Sequence, residues 1–286
     1  MYLSNNSDVI TLGEMDLNGL TEITLEHYIR LMSFIAVLAV MLFWEQYASK
    51  RPLVYSKSIR HLSNYGVMII GVVLARVLMP VFPVAIAIYA NQANQGLLNF
   101  LNSPFWLAFL LSFLFLDLLI YFQHRLFHRI PVFWAIHRMH HSDTELDVSS
   151  GIRFHPLEIV VSLMIKVGAI YSLGAPPIAV MTFEVVLTAA SLFNHANIHI
   201  PRHIDRLLRC VLVTPDMHRV HHSIIPDEYD KNFGFNISWW DWIFRTYQDQ
   251  PREGHLGMVI GLRNFRNNRE MRLDSLLLQP FLSQRE

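Results

Sequence analysis

The sequence predicts an all-α integral membrane helical bundle, with about four to five membrane-embedded helices and a cytosolic helical cap that holds a histidine-rich dimetal site. Three observations predict it. The 286 residues are 52% hydrophobic and only 16% charged, with a mean hydropathy of +0.30, whereas an ordinary soluble domain is about 25% charged. Apolar runs recur as far as Phe193, separated by polar or proline-bearing breaks. Ten of the 15 histidines fall into four tight clusters at the ends of those runs.

Taken in order, residues 1–26 are polar and acidic without Lys or Arg, and read as a retained tail. Residues 27–286 read as one membrane-embedded domain. The first apolar run, Leu31 to Trp44, reaches across a bilayer if its helix extends through Tyr28 and Tyr47 with Arg30 snorkelling to the headgroups. A basic loop follows, with Lys50, Arg51, Lys57 and Arg60, then a second span from Tyr65 to Phe82 and an uncharged loop from Asn91 to Asn102. Ser103 and Pro104 form a helix start, cap then proline, for the third span as far as Phe122. Pro156 opens a fourth apolar helix, Leu157 to Leu173. Gly174, Ala175, Pro176 and Pro177 break it, and Ile178 to Phe193 returns. Whether these two arms cross fully or form a re-entrant hairpin, both ends lie on one side, so His195 rejoins the histidines before it.

Charge places that side. Lys and Arg crowd the loop before the second span and the segments after the third and fifth, including Arg125, Arg129, Arg138, Arg202, Arg206 and Arg209, so the histidines are expected to face the cytoplasm. The segment 223–286 is expected on the membrane surface, with Trp239, Trp240, Trp242, Phe244 and Tyr247 as an interfacial aromatic group. A formal net charge of +0 gives no basic excess for nucleic acid. One cysteine, Cys210, rules out an internal disulfide and a thiolate metal cage.

The histidine clusters are His124 with His128, His137 with His140 and His141, His195 with His199, and His218 with His221 and His222. Spacings of three and four keep imidazoles on one helix face or adjoining faces. In His-x-x-His-His the first ring reaches both later ones, yet those two point about 100° apart, so one cluster can serve two metals. Ten nitrogens supply five per metal with an open position on each, the mark of a catalytic site, whereas closed structural sites are four-coordinate and cysteine-rich. Imidazole ligation alone does not choose among Fe, Zn, Cu and Ni. His155 lacks a clustered mate and reads as a structural residue or one that orients a ligand, while His27, His61, His203 and His255 read as surface or snorkelling residues. Asp117, costly within a span, is either a support for the histidines or a partner for Arg76.

The segments His124 to His128, His137 to Ser142 and His218 to Ser223 resemble the three histidine boxes of the fatty acid hydroxylase and sterol desaturase superfamily of membrane di-iron oxygenases. The likeness extends to Asp117, to Arg153 through Glu158, to Phe193 through Asn197, to Asn232 through Gly234, and to Trp240 with Asp241. It covers roughly Pro104 to Pro251. The resemblance implies a ligand set of His124, His128, His137, His140, His141, His195, His199, His218, His221 and His222 around two iron ions, with zinc as an alternative occupant in purified protein and no catalytic residue beyond the ligands. It implies O2 as oxidant, a membrane lipid substrate such as a sterol, fatty acyl chain or ether lipid, and an external electron donor of the cytochrome b5 or ferredoxin and reductase type. The expected localisation is a membrane of the bacterial inner or endoplasmic reticulum type.

Two readings compete. A zinc-dependent membrane hydrolase needs a general-base glutamate beside its ligands, and no His-Glu-x-x-His occurs. A metal transporter or haem protein needs ligands within the spans or only one or two axial histidines, which leaves most of these ten unexplained.

Overall fold

Proline opens several of the helices that make up most of the described residues, and Gly174 closes one of them. The computed structural model describes residues 17–53, 57–80 and 82–282. Helices α1 (Leu17–Tyr47), α2 (Lys57–Leu78), α3 (Pro83–Gln92), α4 (Leu97–Phe100), α5 (Phe105–Arg129), α6 (Pro131–His141), α7 (Pro156–Leu173) and α8 (Pro177–His195) are followed by short helices α9 (Arg202–Leu208), α10 (Pro215–His221), α11 (Pro226–Tyr229), α12 (Trp239–Ile243), α13 (Gly254–Gly257) and α14 (Leu273–Leu278). Proline occupies the first turn of α3, α6, α7, α8, α10 and α11, where a missing N–H costs nothing.

Five apolar segments among the described residues are long enough to cross a membrane: Leu25–Tyr47, Lys57–Phe100, Phe105–Arg129, Pro156–Leu173 and Pro177–His195. Their outer faces expose large apolar side chains such as Leu31, Phe43, Val72, Trp106 and Phe115, which suits lipid and not water. The stretch from Leu17 to Glu26, expected as part of the tail, already belongs to α1, and residues 1–16 lie outside the described residues. The second crossing is broken: Pro80 cannot continue α2, and α3 restarts at Pro83 and packs on α7 and α8. The Asn91 amide then donates to Ala175 O at 2.9 Å, tying the end of α3 to the turn between α7 and α8. That turn and the loop before α4 meet backbone to backbone. A Cβ on Gly96 (φ 96) would lie 2.2 Å from the Gly174 nitrogen, so this approach requires glycine.

Within the bundle α1 lies against α8 and α2 against α7. Charged side chains bridge three helices: Arg30 meets Glu26 at 2.8 Å and Glu184 at 3.1 Å, and Lys166 meets Glu184 at 2.6 Å. Arg76 does not reach Asp117; its guanidinium lies 3.6 Å over the Phe82 ring.

On the histidine side, short helices and loops form the cap. Arg60, expected in a basic loop, is instead fully buried at the start of α2. Its guanidinium binds Asp143 at 2.9 and 3.0 Å, Asp147 at 2.7 Å and Glu145 O at 2.6 Å. Arg153 donates to Met139 O at 3.0 Å and Ser142 Oγ at 2.6 Å. These two arginines shape the loop that joins α6 to α7. Burial alone would raise the Asp143 carboxyl, but Arg60 and Arg153 beside it hold it below the usual range. The C-terminal segment is more than a surface layer, because Leu276 packs against Val67 and Met139. We expect Arg60→Ala to destabilise the fold by about 3–5 kcal/mol, since it strands buried carboxylates, and thermal unfolding in detergent should show the loss while exposed Arg245→Ala unfolds as wild type.

Candidate metal centre

Helix geometry brings nine of the ten expected histidines together. His124 and His128 sit in the last turns of α5, His137, His140 and His141 in α6, His195 ends α8, and His218, His221 and His222 run along α10 and its cap. Their ring nitrogens form two groups, each with its atoms within 4.8 Å of one another: His124, His128, His137, His141 and His221 in the first, and His140, His195, His218 and His222 in the second. The division follows the rotation between adjacent helical residues. In α6 the first and last histidines serve the first group and His140 the second, whereas in α10 His218 and His222 serve the second and His221 the first. The groups adjoin, with the His141 and His222 rings stacked at 4.5 Å.

Hydrogen bonds behind the rings set which nitrogen faces inward. The Nδ1–H of His124 donates to Phe233 O at 2.9 Å, that of His221 to Lys231 O at 2.8 Å, that of His140 to Arg153 O at 3.2 Å and that of His195 to Ser191 O at 2.7 Å. A carbonyl only accepts, so each Nδ1 carries the proton and each neutral ring turns a bare Nε2 inward. Yet Nε2 of His124 lies 3.0 Å from Nε2 of His221, and Nε2 of His140 lies 3.1 Å from Nε2 of His195. Two acceptors at that separation repel unless a cation lies between them. Nor do protons resolve the conflict: burial pushes His137 down to about 3, and burial followed by neighbouring imidazoles holds His140, His141, His218, His221 and His222 well below the ordinary range. A buried set of neutral, inward-facing imidazoles fits two metal ions.

His199 is not part of either group. Helix α8 stops at His195, so the four-residue spacing no longer keeps the two rings on one face; His199 is exposed and its backbone N–H donates to Ala48 O at 2.8 Å. His155 is engaged at both nitrogens, with Nδ1 capping α7 by accepting from Leu157 N–H at 3.2 Å and Nε2 donating to Leu277 O at 3.2 Å. His61, expected at the surface, meets Asp147 at 3.2 Å, and His255, also expected there, is buried 3.7 Å from Asp216. Asp117 acts on the cap: Oδ2 accepts from Trp240 Nε1 at 2.7 Å and from Ile237 N–H at 3.2 Å.

Sequence reasoning assigned no role to Glu158 or Asp241. Glu158 accepts from His137 Nδ1 at 2.8 Å, two residues past the proline that opens α7. Asp241 accepts from the Phe233 and Gly234 N–H groups, each at 2.8 Å, and so orients the carbonyl that His124 uses. Both belong to segments that resemble the family, which is the signal that could have found them.

The fold and the site together define a membrane protein with a buried histidine cluster suited to metal. Residues 109–246 match the fatty acid hydroxylase family. The chain is 29% identical over 184 residues to an ornithine lipid hydroxylase of Rhizobium tropici, covering 64% of this chain and 55% of that protein. It is 30% identical over 159 residues to the alkylglycerol monooxygenase of Homo sapiens, covering 54% and 34%, and 29% identical over 138 residues to a Delta(7)-sterol-C5(6)-desaturase of Nicotiana tabacum, covering 47% of each. The chain thus spans from about a third to just over half of the length of these relatives. No solved structure matches. By these likenesses the chain resembles the fatty acid hydroxylase and sterol desaturase superfamily, and the family match spans just under half of it.

The purified protein should carry two transition-metal ions per chain by elemental analysis. We expect His221→Ala to empty mainly the first group and His140→Ala the second, whereas His199→Ala keeps both ions.

Proposed function

We propose that the protein is an O2-dependent oxidoreductase that hydroxylates or desaturates a C–H bond of a membrane lipid, such as a sterol, fatty acyl chain or ether lipid, at a di-iron centre. The observation that carries this reading is the convergence of bare imidazole nitrogens in two adjoining, fully buried groups. His124, His128, His137, His141 and His221 would hold one ion and His140, His195, His218 and His222 the other. Two ferrous ions in this setting supply the reduction of O2 and the removal of hydrogen from an unactivated C–H bond.

The chain's own residues shape what meets that chemistry. Glu158 and the carbonyls of Ser191, Arg153, Lys231 and Phe233 hold ligand protons on Nδ1, which keeps the rings neutral and correctly turned. Phe235 contacts rings of both groups, with centroids 6.2 Å from His124 and 6.2 Å from His218, and Phe154 stacks on His140 at 4.5 Å. Both phenylalanines adjoin the apolar cluster of Leu116, Ile120, Ile170 and Phe183 inside the bundle. An acyl or alkyl chain would therefore approach from the bilayer side, through apolar surroundings that exclude water from the reacting carbon.

The relatives named for ornithine lipid, alkylglycerol and sterol support a lipid substrate. A hydrolase finds less support, because Glu158, the carboxylate beside the ligands, is occupied by His137 Nδ1 instead of facing a water. Electrons would come from an external donor of the cytochrome b5 or ferredoxin and reductase type. The basic segments around the histidines support a cytoplasm-facing site.

Lipid mass spectrometry of cells with and without the protein tests the activity: a gain of 16 mass units on one lipid class marks hydroxylation, a loss of two marks desaturation, and an unchanged lipidome overturns the reading. His137→Ala should abolish the change, and His199→Ala should leave most of it. For orientation, reporters fused at Asn94 and at the C-terminus should report opposite sides of the membrane, and the same side for both would overturn the count of five crossings.

A further inference from the structure

A groove of about 810 Å³ lies between α9 and α12, away from the histidines and unused by the chemistry above. Its lining combines an aromatic and apolar set, Trp239, Trp242, Ile243 and Tyr247, with the charged Arg206, Arg209 and Asp249. We propose that this groove binds the headgroup of a zwitterionic phospholipid from the leaflet on the histidine side.

Placement is the first argument. Helix α12 is bound to membrane-crossing α5, since Trp240 donates to Asp117 and Phe244 stacks on Tyr121 at 5.3 Å. The groove therefore opens beside the cap end of a span. Its rim is apolar and outward-facing: Leu207, Val211, Leu212 and Ile243 are all exposed, a combination that water disfavours and acyl chains satisfy.

An unmet hydrogen-bond requirement is the second argument. Arg209 is only 2% exposed. Its Nε meets Asp205 at 2.7 Å and one terminal nitrogen meets Asp249 Oδ1 at 3.0 Å and Asp249 O at 2.7 Å, but its other terminal nitrogen has no partner. A buried guanidinium N–H left unpaired is costly, and a side-chain shift that opens it to the groove would give it a phosphate oxygen as acceptor. Arg206, exposed at the same groove, gives the phosphate a second cation.

Charge balance selects the headgroup. Arg209 is paired with Asp205 behind it at 2.7 Å and with Asp249 at 3.0 Å, so the two arginines are matched in number by two carboxylates, and a purely anionic ligand gains little net attraction. Asp249 keeps its carboxylate 45% exposed, open to an ammonium group, beside Trp242 and Tyr247 stacked at 3.7 Å. An ammonium on Asp249 and the ring faces, with its phosphate on the arginines, engages all three charged side chains that line the groove.

Native mass spectrometry of the full-length protein in detergent, titrated with dioleoylphosphatidylcholine, dioleoylphosphatidylglycerol or dioleoylglycerol, decides the matter without reference to metal content or turnover. One phosphatidylcholine should bind per chain, roughly tenfold more tightly than either other lipid, which corresponds to about 1.4 kcal/mol. Combining Arg206→Gln with Asp249→Asn should erase that preference. Equal binding of dioleoylglycerol, a preference for phosphatidylglycerol, or an undiminished preference in the double variant would each overturn the proposal. Should the double variant fail to fold, the ranking of the three lipids on the wild-type chain decides.

Discussion

Two imidazole acceptors held about 3 Å apart in a buried interior repel each other, and much of the cap is arranged around that conflict. Buried polar groups without partners are costly, and rings that burial keeps neutral cannot resolve the clash by taking up protons. The backbone nevertheless holds them in place. Phe233, Lys231, Arg153 and Ser191 each present a carbonyl to the outer nitrogen of a ring, so rotating any ring outward breaks a hydrogen bond. The arrangement thus suits a cation, and its cost falls on the buried acceptors themselves.

Support for that geometry comes from two kinds of scaffold. Helices α5, α6, α8 and α10 give ring spacing directly, because three- and four-residue steps keep side chains adjacent. The carbonyl partners sit in irregular segments, which need anchors of their own. Asp241 holds the 232–234 turn through two N–H groups, Asp117 holds the start of α12, and Arg60 gathers Asp143 and Asp147 beneath the second histidine box. Carboxylates and guanidinium groups in the cap therefore position imidazoles that they do not touch.

Much of this was legible in the sequence because it is local. Apolar runs of helical length announced the crossings, and box spacing announced the nine clustered rings. Relations between distant segments were not legible. The pair His195 and His199 has helical spacing, but the helix ends at the first of them, and no residue type at 196–199 marks that stop as glycine or proline would. Arg60 looked like a topological charge because its carboxylate partners lie more than 80 positions away. His255 looked isolated for the same reason, since Asp216 reaches it only through the fold of the cap. Asp117 was correctly singled out as too costly to be incidental, but its partners, Trp240 and Ile237, lie in the aromatic segment read as a membrane anchor.

The charged contacts among α1, α7 and α8 bear on how the chain enters a bilayer during synthesis. Arg30 has Glu26 one turn away on the same helix, and Lys166 meets Glu184 across a single hairpin. Each inserting unit thus sets a counter-charge beside its basic side chain, which spares much of the cost of an isolated cation in hydrocarbon. The contact between Arg30 and Glu184 joins two units already paired. It forms only when α1 and the hairpin meet laterally in the membrane, so docking of the first helix can wait until the last has been made.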